Sequence, residues 1–347
     1  MLAALLAGSL VAAACGGGEE QGDGGQSGQA AITLNGSGAT FPQPFYEAVI
    51  AEFKEKQPNT TVNYGGGGSG KGRQELQDQV VDFAGSDGTV KAEDVPKYKG
   101  GEFLYVPTVA APITVSYNLP EVKGLKLDAT AVARIFQRQI KQWNDPSIAA
   151  ANPGVRLPAT AITVAHRSDG SGTTENFTKY LADAAKGVWT LGSGSTVPWP
   201  ADTQAGNGNS GVAQIVKSTA GAIGYVDLSD AKASQLQFAQ VKNKSGAFVE
   251  PTTEGASAAL EGVELKPDLT YNPLDASGAR AYPITAPTWI LVYRNQTHKG
   301  KAEALKSFLR FLLTEGQELA PPIDYAQLPP SVRDRSLAQL DKMVVPA

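Results

Sequence analysis

From residue 31 onward the chain alternates short apolar runs with helical stretches, and the joints between them are made of glycine and hydroxyl residues. Residues 31–34 read as a strand, Gly36-Ser37-Gly38-Ala39-Thr40 as a turn, and residues 42–55 as a helix. Pro42 falls in the first turn of that helix, where its missing N–H costs nothing. Residues 61–64 form a second strand, 65–70 a glycine loop, 73–80 a second helix and 81–85 a third strand ending at Ser86-Asp87. This βαβαβ order predicts an α/β fold with a mixed, mostly parallel sheet and ligands at the carboxyl ends of its strands.

The rest of the chain continues the pattern. Residues 103–109 and 113–117 are strand-like runs split by Ala110-Ala111-Pro112, which reads as a crossing between two lobes. A helix is expected over 130–136, strands over 162–166, 222–226 and 289–293, and a helix over 175–185. Residues 301–313 place Leu305, Phe308, Leu309 and Leu312 on one helical face. No internal repeat with a fixed period is present. A chain of 347 residues exceeds one ordinary core, so two lobes with a ligand between them is the natural expectation.

Three joints share one design: small residues, a hydroxyl, then a helix. They are Gly38-Ala39-Thr40-Phe41, Gly67-Gly68-Ser69-Gly70 and Gly170-Ser171-Gly172-Thr173. A helix N-terminus presents unpaired N–H groups and roughly half a positive charge, glycine lets the backbone approach closely, and each hydroxyl adds a donor. One such joint alone is an N-cap; three in one chain point to an anion. Arg167 and Asp169 flank Ser168 in the third joint, close enough for the carboxylate to orient a guanidinium whose fork matches an oxyanion.

Other readings fare less well. Gly65-x-Gly67-x-x-Gly70 matches a dinucleotide fingerprint, as any glycine run does, and Gly65 to Lys71 nearly spells a nucleotide P-loop. Gly72 stands where that loop needs its metal-binding hydroxyl. The only histidines are His166 and His298, and there is no Gly-x-Ser-x-Gly elbow, so a Ser/His hydrolase has little to work with. No cysteine and histidine cluster for zinc occurs, and no metal or cofactor is expected. His166 is expected to pack at a strand end.

Composition matters at two points. Thirty basic against 34 acidic residues give a net charge of −4 with no long Lys/Arg run, which argues against nucleic acid and means an anion must be bound locally. The single cysteine, Cys15, closes the apolar run 2–14 and precedes a Gly/Ser/Gln/Glu stretch to about residue 30. That run is too short to span a bilayer but suits a secretory signal. Ala12-Ala13-Ala14-Cys15 resembles a bacterial lipobox, with Ala12 where Leu is usual and no basic residue ahead of the run, which suggests a start site further upstream. The expectation is a signal peptide over 1–15 with Cys15 lipidated, and a flexible tether over 16–30.

The strings Gly36-Ser37-Gly38-Ala39-Thr40-Phe41-Pro42, Val81-Asp82-Phe83-Ala84-Gly85-Ser86-Asp87, Arg167-Ser168-Asp169-Gly170-Ser171-Gly172-Thr173 and Gly221-Ala222-Ile223-Gly224-Tyr225 together resemble the PstS family, the phosphate-binding proteins of Pst ABC importers. The resemblance runs in order from about residue 31 to about 335 and includes Lys141-Gln142-Trp143-Asn144-Asp145 and Asp324-Tyr325-Ala326-Gln327-Leu328-Pro329. It implies a type II periplasmic binding protein with two interlobe crossings, lobe I being 31–112 and 284–347 and lobe II 113–283. It implies inorganic phosphate bound by Thr40, Phe41, Ser69, Asp87, Arg167, Ser171, Gly172 and Thr173, with Asp169 holding Arg167. Lys71, where some relatives have glycine, is expected to face solvent.

The same resemblance implies a monomer that is not an enzyme, held by lipid at the outer face of the cytoplasmic membrane or periplasmic, and serving a permease and its ATPase. An ionised Asp87 only accepts hydrogen bonds, so hydrogen phosphate can satisfy it and sulfate cannot. The alternatives are a binder of sulfate or molybdate, a phosphate-ester hydrolase, or a surface scavenger without a transporter.

Overall fold

The computed structural model describes residues 31–347. β1 (Ile32–Gly38), α1 (Gln43–Lys56), β2 (Thr60–Gly66), α2 (Ser69–Gln77) and β3 (Phe83–Ser86) form the expected opening. β4 (Phe103–Tyr117) leads to β5 (Lys126–Leu127), α3 (Ala129–Phe136), α4 (Pro146–Ala151), β6 (Thr163–Arg167) and α5 (Gly172–Ala184). Then come β7 (Gln204–Gly206), α6 (Gly208–Ser218), β8 (Ala222–Asp227), α7 (Leu228–Ala233), β9 (Gln237–Phe238), β10 (Gln240–Lys242), β11 (Phe248–Val249) and α8 (Thr253–Leu260). The chain returns through β12 (Thr285–Tyr293) and ends with α9 (Lys299–Leu313) and α10 (Pro330–Leu340). The signal, Cys15 and tether expected from the sequence lie outside the described residues.

The main sheet runs β2-β1-β3-β12-β4-β8-β6-β7, with β9 beside β4. It has two parallel wings: β1 lies parallel to β2 and β3, and β6 parallel to β7 and β8. Between them the pairs β3–β12, β12–β4 and β4–β8 are antiparallel. The two strand-like runs around residue 110 are one strand of 15 residues. β4 pairs with β12 as far as Pro112 and with β8 from Ile113 onward. A proline interrupts a ladder by having no N–H, and here it stands where the strand changes partner in any case.

Each wing has its own aromatic packing. In the first, Phe45, Tyr46, Val49 and Phe53 of α1 are buried, and Phe53 meets Phe308 and Phe311 of α9 with ring centroids 5.4 and 5.5 Å apart. Leu305, Phe308, Leu309 and Leu312 are all buried, as the helical periodicity predicts. Each such side chain contributes about 1.5–3 kcal/mol by leaving water. In the second wing Phe177 of α5 stacks on Tyr225 of β8 at 4.4 Å, and His166 stacks on Trp199 at 4.9 Å. His166 therefore packs at the end of β6, and burial lowers its basicity.

Two helices begin earlier than the sequence suggests. α2 starts at Ser69 rather than Arg73 and ends at Gln77, before Val80; α5 starts at Gly172 rather than Glu175. Of the glycine loop read over 65–70, Gly65 and Gly66 end β2 and Gly70 is helical. A Cβ on Gly72 would come 2.6 Å from the Gly38 Cα, so glycine there lets α2 lie against the end of β1. This shift puts Ser69, Gly172 and Thr173 in first helical turns, where N–H groups are unpaired. No helix among the described residues is long and apolar enough to cross a membrane.

Candidate functional site

The carboxyl ends of β1, β3 and β6 and the starts of α2, α5 and α6 meet at one enclosed place between the wings. Asp87 follows β3 directly and is 2% exposed. Its backbone N–H donates to the Ser69 hydroxyl at 3.1 Å, and that hydroxyl faces Asp87 Oδ2 at 3.3 Å. Asn176 of α5 donates to the Asp87 carbonyl at 2.6 Å, so the second wing also holds this residue. Gly172 fits against the pair so closely that a Cβ there would lie 2.4 Å from Ser69 Oγ and 2.7 Å from Asp87 Oδ2.

Arg167 is the last residue of β6 and is 4% exposed. Asp169 grips it twice, at Nε (2.8 Å) and at Nη2. Nη1 donates to Asn209 Oδ1 at 2.9 Å and to Thr173 Oγ1 at 3.3 Å, and its backbone N–H donates to Tyr225 OH at 3.2 Å. Tyr225 OH in turn meets Thr174 Oγ1 at 2.6 Å, which ties β8, β6 and α5 together behind the guanidinium. The Asn209 N–H donates to Thr40 Oγ1 across the wings at 3.3 Å.

The two remaining expected residues are also here. The Ser171 hydroxyl oxygen caps α5 by accepting from the Thr174 N–H at 3.0 Å, which leaves its own proton to give. Phe41 is fully buried; Tyr325 OH donates to its carbonyl at 2.6 Å and fixes the turn before α1. Thus Thr40, Phe41, Ser69 and Asp87 sit on the first-wing side, and Arg167, Asp169, Ser171, Gly172 and Thr173 on the second. Lys71 stands about half exposed, 3.7 Å from Glu75.

The two carboxylates are shifted in opposite directions. Burial raises Asp169, but the Arg167 fork and the Gly208 N–H at 3.0 Å outweigh it, and the group ends below the usual carboxylate range. Burial pushes Asp87 up to about 7, with the Thr288 hydroxyl, the Arg167 charge, the Ser69 hydroxyl and the Arg73 charge pulling only partly back. Asp87 Oδ1 is buried with no hydrogen-bond partner among the described residues. An acceptor in that position awaits a donor.

The sequence reading missed Asn209. It is fully buried, accepts from Arg167, and donates through Nδ2 to Asp227 Oδ2 at 2.8 Å. Burial, with Asp230 beside it, raises Asp227 well above the ordinary carboxylate range. The signal lay in Gly206-Asn207-Gly208-Asn209-Ser210-Gly211, a fourth joint of small and polar residues before a helix. Among the described residues no three His, Cys, Asp or Glu side chains gather to hold a metal.

Comparison with known proteins identifies the family and the fold. Residues 23–315 match the PBP superfamily domain. The phosphate-binding protein PstS of Pasteurella multocida is 38% identical over 315 residues, covering 89% of this chain and 90% of its own. PstS of Methanocaldococcus jannaschii is 40% identical over 329 residues, covering 87% and 84%. A high affinity periplasmic phosphate-binding protein, PfluDING, solved with phosphate bound, superposes with a TM-score of 0.73 at 22% identity over 88% of this chain and 93% of its own. The last likeness speaks for the fold.

Proposed function

The chain belongs to the PstS family of phosphate-binding proteins within the PBP superfamily, and on that premise we propose that it binds one inorganic phosphate between its wings and delivers it to an ABC importer. The observation that carries the reading is the unpartnered, buried Asp87 Oδ1 beside a guanidinium and several hydroxyl and amide donors. Hydrogen phosphate suits this mixture: its oxygens accept and its proton donates. Arg167 supplies charge. Thr40, Ser69, Ser171 and Thr173 supply hydroxyl donors, and the backbone N–H groups of Phe41 and Gly172 add two more. Asp87 accepts the phosphate proton. Sulfate has no proton for Asp87, and an unrelieved buried charge costs several kcal/mol.

In this reading residues 31–112 with 284–347 move as one lobe and 113–283 as the other, hinged where β4 changes partner and where the chain returns into β12. The bridging contacts Gly70 N–H to Gly170 O (2.8 Å) and Asn209 N–H to Thr40 Oγ1 (3.3 Å) belong to the closed form. The mature protein works as a non-catalytic monomer anchored through a lipidated Cys15, which mass spectrometry of the mature N-terminus would reveal as a diacylglycerol adduct or disprove by an unmodified end. Titration calorimetry tests the function itself. One phosphate per chain should bind, sulfate should bind at least about a hundredfold more weakly, and tighter sulfate than phosphate binding would refute the assignment.

A further inference from the structure

A cavity of about 440 Å³ lies just outside the enclosed site. One side is α2 with residues 89–98 of the first wing, and the other is α5 with residues 193–195 of the second. Two contacts that bridge the wings separate it from the site: the Gly70 N–H to Gly170 O bond, and Arg73 Nη1 to Glu175 Oε2 at 3.3 Å. Arg73 also donates to Ser86 Oγ at 3.1 Å, one residue before Asp87. The cavity therefore occupies the mouth of the cleft.

Six charged side chains line it: Arg73, Lys91, Asp94, Lys97, Glu175 and Lys179. Four cations against two carboxylates oppose the net charge of −4 carried by the whole chain. Lys97 pairs with Asp94 at 2.6 Å and Arg73 with Glu175. Lys91 and Lys179 have no carboxylate within 4.0 Å among the described residues, and they come from opposite wings. Two ammonium groups brought towards each other as a cleft closes repel, and an anion between them relieves that repulsion.

We propose that this cavity is an oxyanion vestibule, in which Lys91 and Lys179 capture the incoming ligand before it passes Arg73 into the enclosed site. The inference rests on the phosphate reading and deepens it. Both carboxylates of the vestibule are paired with cations, Asp94 with Lys97 and Glu175 with Arg73, so it gathers phosphate and sulfate alike, and discrimination begins only inside. Charges at a rim act on encounter more than on final affinity, and salt screens them over about 8 Å at physiological strength.

The test is stopped-flow binding of inorganic phosphate to wild type and to the double variant Lys91→Gln/Lys179→Gln, at low and high ionic strength. At low salt the association rate constant should fall about three- to tenfold in the variant, the gap should close at high salt, and dissociation should be unchanged. The reversed pair Lys91→Glu/Lys179→Glu should slow association further. Calorimetry on the wild type separates the two ideas. A wild type that binds no phosphate sinks the functional reading, whereas tight binding with equal association rates in both variants, or an effect confined to dissociation, overturns the vestibule alone.

Discussion

The two sides of the site are built on opposite principles. On the second wing, Arg167 is held at all three nitrogens: Asp169 takes Nε and one Nη2 N–H, Asn209 and Thr173 take Nη1, and Tyr225 fixes the backbone beneath it, leaving an Nη2 N–H to give. On the first wing, Asp87 is left short: Ser69 meets one carboxylate oxygen, the other is in no hydrogen bond, and the nearby Thr288 hydroxyl is turned to the Ser86 carbonyl. A charge that must attract every oxyanion is best locked in place, because ordering it in advance lowers the cost of binding. A group that must tell one oxyanion from another is best left unsatisfied, because only the right ligand then completes it. Under the proposed function, affinity and selectivity would thereby be assigned to different wings.

The sharpest way to break that division is Arg167→Lys. An ammonium cannot keep the fork to Asp169 and reach Asn209 and Thr173 as well, so the locked side comes apart. Phosphate affinity should fall by about 3 kcal/mol or more, on the order of a hundredfold, with sulfate weakened in proportion. Calorimetry with both anions reads this; a loss confined to one of them would show that Arg167 also discriminates.

Asp87→Asn attacks the other side and should leave affinity more nearly intact. The amide can donate as well as accept, so the ratio of sulfate to phosphate affinity should rise by about tenfold to a hundredfold. A ratio that stays put would mean Asp87 does not read the ligand proton. The same variant has a second, smaller signature in the ligand-free protein. An aspartate titrates near 3.9 in the unfolded chain, as a typical value, and Asp87 near 7 in the folded one. Between those values the folded chain holds more protons than the unfolded one, so this residue lowers stability as pH rises from about 4 to about 7. Removing its charge should therefore stabilise the chain by about 2–4 kcal/mol above pH 7 and by little near pH 4. Thermal melts of wild type and variant across that range would expose any contrary slope.

Much of the proposed site was legible before the structure because anion sites depend on local chemistry. Thr40, Ser69, Ser171, Gly172 and Thr173 announce themselves as candidates by sitting in glycine-bearing strand-to-helix joints, and Arg167 and Asp169 by their spacing of two. What the sequence hides is tertiary. Gly70 and Gly72 carry the propensity of a loop, yet α2 runs through them because Gly72 must touch Gly38. Asn209 looks like an ordinary residue of a fourth joint until folding carries it 42 positions back to Arg167. The strand through Ala110 to Pro112 reads as broken because periodicity cannot tell a change of partner from an end.

That unbroken β4 has a mechanical meaning. Because one strand is stitched into both halves of the sheet, the proposed closure would be a turn about a shared rod, as of the ends of a torsion bar, rather than a swing on a loose strap. The twist would then fall on the few dihedrals around Pro112 and Ile113, and on Ile284, whose carbonyl accepts from the Ile113 N–H at 2.8 Å. Stiffening that short stretch would retune the opening of the cleft without altering a single group that meets the ligand.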